Sequence, residues 1–70
     1  MVSGRETLMA LYRAGFTYAS RDGSHVTVRH SVSKRKATVP DHGGEDMPTG
    51  TLRHILRDTC LSVEEFIALL

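Results

Sequence analysis

A 70-residue chain with one cysteine, Cys60, cannot close an internal disulfide, which excludes a disulfide-stapled secreted scaffold and suits a reducing compartment. No apolar run approaches the ~20 residues of a membrane span, and no basic start with an apolar run marks a signal peptide, so a soluble, cytoplasmic, single domain over residues 1–70 is expected. The formal net charge is only +1, but residues 1–40 carry +5 and residues 41–70 carry −4, a polarity that suits one face for a polyanion.

The first element is legible from its start. Ser3-Gly4-Arg5-Glu6 has the capping-box spacing, in which the serine hydroxyl and the glutamate carboxylate each accept from a free backbone N–H. Leu8, Leu11 and Tyr12 then recur at helical spacing, Ala14 extends the same side, and Gly15 stops the helix, predicted over residues 4–14.

The pattern then switches to period two. Phe16 to Arg21 and His25 to His30 read as two strands joined at Asp22-Gly23-Ser24-His25, where glycine accepts the positive φ of a tight hairpin. A third strand is expected over residues 35–40, after a loop through Ser31-Val32-Ser33-Lys34. With Val26 and Val28 turned to the helices, His25, Thr27 and Arg29 face the other way. In the same register Phe16, Tyr18, Ala37 and Val39 face inward, and Thr17, Arg21, Lys36 and Thr38 face outward.

Residues 40–50, with Gly43-Gly44 and Pro48, read as an irregular connector. Thr49 is the expected N-cap of a second helix with an apolar stripe at Leu52, Ile55 and Leu56, and with Arg53 and Arg57 on another face. Ser62 and Glu65 repeat the capping-box spacing before a short last helix carrying Phe66, Ile67, Leu69 and Leu70.

His25 is the leading candidate for chemistry. Free histidine titrates near pH ~6.5, so it exchanges protons at neutral pH. Ribonuclease chemistry without a metal needs such a base to take the ribose 2′-OH proton. Gly23 and Ser24 offer backbone N–H groups, and Ser24 a hydroxyl, to a phosphate oxygen. Lys34, Arg35 and Lys36, with Arg29 and Arg21, form a candidate phosphate-binding strip. His30 falls on the opposite pleat face, as an edge or loop contact; His42 lies in the connector and His54 on the second helix. The four histidines show no compact ligand spacing and Cys60 lacks a CxxC partner, so no metal site is expected. The polar sheet face has no aromatic pair for base stacking. A glycine-rich phosphate loop, a GxSxG turn and paired catalytic carboxylates are missing too, and no cofactor is expected.

Taken in order, Ser3-Gly4, Ala14-Gly15-Phe16, Gly23-Ser24-His25, Arg29-His30, Thr38-Val39-Pro40 with His42, Met47-Pro48-Thr49-Gly50-Thr51-Leu52-Arg53 and Leu61-Ser62-Val63-Glu64-Glu65-Phe66 form a specific set. In that set the chain resembles the HicA family of toxin mRNA interferases over essentially its whole length. The resemblance implies an α+β fold like a double-stranded-RNA-binding domain: helix, three-stranded antiparallel sheet, helix and a short C-terminal helix. It implies a metal-independent endoribonuclease acting on mRNA through the histidine matching His25. It also implies a HicB-type antitoxin that covers that histidine and represses transcription of the pair. Family members commonly place glycine where Cys60 stands, so the cysteine is expected to hold a left-handed conformation at some cost. The alternatives are a non-catalytic RNA-binding module of the same fold, and a domain that only binds a protein through the sheet edge or the Phe66–Leu70 end.

Overall fold

A computed structural model describes residues 2–70, and its elements follow the expected order. They are α1 (Gly4–Arg13), β1 (Phe16–Asp22), β2 (His25–His30), β3 (Lys36–Pro40), α2 (Thr49–Thr59) and α3 (Val63–Leu69). The strands form one antiparallel sheet in the order β1-β2-β3, with the helices on one face. This is the α+β architecture of a double-stranded-RNA-binding-like domain. No described helix is long and apolar enough to cross a membrane.

Local chemistry explains the helix boundaries. The Ser3 hydroxyl accepts from the Glu6 N–H at 3.1 Å, and the Glu6 carboxylate accepts from the Ser3 N–H at 3.1 Å, completing the expected capping box. Gly15, with φ 102°, ends α1. A side chain there would also strike His30, since a Cβ would stand 2.9 Å from its Nε2. The Ser62–Glu65 box likewise starts α3. At α2 the expectation is off by one residue: Pro48 is the N-cap, Thr49 is the first helical residue, and no side chain caps that end.

The end of α2 bears out the reading of Cys60. Its φ of 62° and ψ of 27° are left-handed. Its N–H bonds the Arg57 carbonyl at 3.2 Å, the Leu61 N–H bonds the Leu56 carbonyl at 3.1 Å, and Leu61 packs against the cluster holding Leu56. This is a Schellman closure built without the usual glycine.

The core lies between sheet and helices. Val26, Val28, Ala37 and Val39 from the sheet meet Leu8 and Leu11 of α1, Ile55 of α2 and Phe16. Fully burying each of the larger side chains contributes ~1.5–3 kcal/mol. Met47 completes this cluster from the connector, where its N–H bonds the Val2 carbonyl at 2.7 Å and Asp46 bridges Ser3. The connector therefore carries a core residue. Tyr12, expected in the apolar stripe of α1, is exposed at the rim.

One expectation for β1 is corrected by a bulge. The strand pairs Phe16 with His30, Thr17 with Arg29 and Tyr18 with Val28, then skips Ala19 and resumes with Ser20 opposite Thr27. The extra residue inverts the parity of everything after it. Arg21 now pairs with the buried Val26 and lies on the helix-facing side, not on the His25 face. Tyr18 keeps the inward register yet is 57% exposed, because only Phe16 of this edge strand is covered.

Candidate active site

The turn that delivers His25 is short and braced. Positive φ falls on Gly23 but not on Ser24, the sign pattern of a type II′ hairpin turn, which places glycine first. Nothing lies within 4 Å of where a Gly23 Cβ would stand, so backbone conformation alone demands glycine there. Arg21 donates from Nε to the Gly23 carbonyl at 2.9 Å, and its guanidinium lies 3.8 Å from the Asp41 carboxylate. From the other side the Asp41 N–H bonds the Ser24 carbonyl at 2.6 Å. Both residues flanking β2 at this end are thus held in place.

His25 opens β2 as an exposed residue between Asp22 of β1 and Pro40 of β3. Its side chain makes no hydrogen bond or ion pair among the described residues. The outward face continues with Thr27 between Ser20 and Thr38, and then with Arg29 between Thr17 and Lys36. The Thr27 and Thr38 hydroxyls are 3.3 Å apart. Four strand residues at ~3.3 Å each put Arg29 roughly 13 Å from His25. Imidazole, hydroxyls and cations therefore lie in successive rows on one open polar surface.

The basic strip is divided by this geometry. Arg29 and Lys36 share the His25 face. Arg21 braces the turn from the opposite side. Lys34 sits in the β2–β3 loop at φ 63°, and Arg35 reaches the Asp58 carbonyl at the end of α2, at 3.4 Å.

The other histidines separate as well. His30 is structural, as its pleat face implies: Nδ1 accepts from the Val32 and Ser33 N–H groups at 3.2 Å each, and the ring meets Phe16 edge-on at 5.1 Å. His42 is exposed in the connector. His54 lies 3.3 Å from the Asp58 carboxylate one helical turn away. Among the described residues no three His, Cys, Asp or Glu side chains gather into a set that could hold a metal.

Two neighbours of this surface were not anticipated from sequence. Asp22 must sit beside His25 once the loop between them has two residues, so the hairpin signal itself contained that pairing. The His54–Asp58 pair was readable from its i, i+4 spacing.

A search among curated proteins yields no match for this chain. The profile described as HicA toxin of bacterial toxin-antitoxin matches residues 4–61, a span running from the first residue of α1 through the sheet and α2 to the Schellman closure. With that match over most of its length, and with the helix-sheet-helix order described above, the chain belongs to the HicA toxin family of bacterial toxin–antitoxin systems.

Proposed function

We propose that this toxin is an endoribonuclease that cleaves mRNA without a metal, blocks translation, and is neutralised by a HicB-type antitoxin covering the His25 face. The observation that carries the reading is the placement of His25. It stands exposed on a polar surface, at the end of a braced turn, with no side-chain hydrogen bond among the described residues. A histidine fixed by its backbone and free at its ring can exchange protons with a ligand.

In this mechanism His25 takes the proton from a ribose 2′-OH. The 2′-oxygen attacks the adjacent phosphorus, the bond to the 5′-oxygen breaks, and the departing oxygen takes a proton from water at the open face. The products are a 2′,3′-cyclic phosphate and a 5′-hydroxyl. Gly23 and Ser24 donate to the phosphate oxygen on which charge builds. Arg29 and Lys36 hold flanking phosphates, with Lys34 and Arg35 extending the field at the far end.

The test is cleavage of single-stranded RNA in EDTA by the wild type and by His25→Ala. A rate lower by ~10²–10⁴-fold in the variant, with cyclic phosphate ends from the wild type, is expected. Equal cleavage by both proteins, or activity abolished by EDTA, would overturn the mechanism.

A further inference from the structure

We infer that the groove between the free edge of β3 and α2 reads one base of the RNA strand whose scissile phosphate sits at His25. The inference rests on the ribonuclease reading above. The groove holds ≈ 300 Å³, at the lower end of the size of ligand pockets. Thr27, Lys36 and Thr38 line it from the polar sheet face, and His54 and Asp58 from α2. Since β3 is the last strand, the polar face runs over its edge directly into the groove. Thr27 is two residues from His25, roughly 7 Å along the strand, so a nucleotide flanking the cleaved bond can reach it.

The mixture of groups argues for a base. A slot for phosphate alone needs only donors, and a carboxylate there would repel the ligand. This groove is lined by Asp58, which brings a carboxylate, as well as by Lys36, which makes no ion pair among the described residues. Two threonine hydroxyls, 3.3 Å apart and able to donate or accept, line it as well. Acceptors next to donors match the edge of a nucleobase. Asp58 also orients the exposed imidazole of His54, at 3.3 Å, and a histidine ring is a platform on which an unstacked base can lie. Bases splayed in this way belong to single strands, because in an A-form duplex the bases stay paired and stacked.

The experiment measures fluorescence anisotropy of short single-stranded RNAs, varied at the nucleotides flanking one site, bound to full-length His25→Ala protein. One base is expected to bind about tenfold better than the others at a single flanking position. Asp58→Asn should erase that preference while leaving the other sequences nearly unchanged. His54→Ala should weaken all of them severalfold. Thermal unfolding of each variant verifies that it is folded. An unaltered ranking in Asp58→Asn, no preference in the parent, or uniformly tighter binding to every sequence would overturn the base-reading groove. The last outcome would mean that Asp58 only repels phosphates. Base-selective binding by a protein whose wild type never cleaves would leave the groove standing and remove the ribonuclease reading.

Discussion

Two histidines on one strand have opposite fates. His25 and His30 are the first and last residues of β2, five positions apart, so the pleat sends them to opposite faces. His25 emerges on the polar surface with no side-chain partner among the described residues. His30 turns toward Phe16, and its Nδ1 closes the next loop by accepting two backbone N–H groups. Those two contacts use Nδ1 as an acceptor, which gives the ring a structural role. Strand parity, more than residue type, decides which imidazole is available for proton transfer.

Substituting the two side chains should therefore have opposite effects. His25→Ala should carry the largest effect, the ~10²–10⁴-fold loss of cleavage given above, with thermal unfolding within error of wild type. A matching loss of stability would mean that His25 is structural after all. His30→Ala should do the reverse: urea unfolding should show about 1–2 kcal/mol lost from two N–H acceptor contacts and an aromatic edge contact. Its cleavage rate per folded molecule should hold.

Lys34→Gly sharpens the contrast from the same loop. A left-handed residue that is not glycine costs ~1–2 kcal/mol, partly offset by the flexibility glycine adds to the unfolded chain. A gain of about 0.5 kcal/mol is expected in chemical denaturation. Removal of one phosphate-facing cation should reduce the salt slope of RNA binding by ~1.

The smallest effect lies away from both histidines and serves as their control. The Ser62 backbone N–H, aided by the Ser62 hydroxyl, holds the Glu65 carboxyl below its ordinary value of 4.5. With a folded-state value below the unfolded one, the cap stabilises α3 above about pH 4.5 and fades as pH falls through the folded value. Glu65→Gln should flatten that acid dependence in a pH series of helical circular dichroism, with no change in the pH profile of cleavage.

Features set by near neighbours in the chain were legible beforehand. Both capping boxes, the hairpin glycine and the stop at Gly15 are decided within a few residues, and the structure has each of them, whereas the left-handed Cys60 was implied by the family resemblance. The opposite faces of His25 and His30 followed from counting by two. The misplacement of Arg21 came from a bulge at Ala19, a residue with none of the glycine signal that marks many bulges, so counting by two failed from there on. Met47 could not be recognised as core, because its burial depends on Val2 and Ser3 arriving from the far end of the chain. The groove beside β3 brings residues 27 and 38 to residues 54 and 58, a proximity set by packing.

The same bulge bears on the growth of the sheet. An edge strand offers a row of unpaired N–H and C=O groups on which a second molecule can add a strand and start aggregation. In β1 the skipped Ala19 divides seven residues into two runs of three, either side of a twist, and neither is long enough to template a neighbour. The opposite edge is five residues long, begins with an exposed lysine, Lys36, and ends in Pro40, which has no N–H to give. Both margins of the sheet thus carry features that disfavour edge-to-edge pairing.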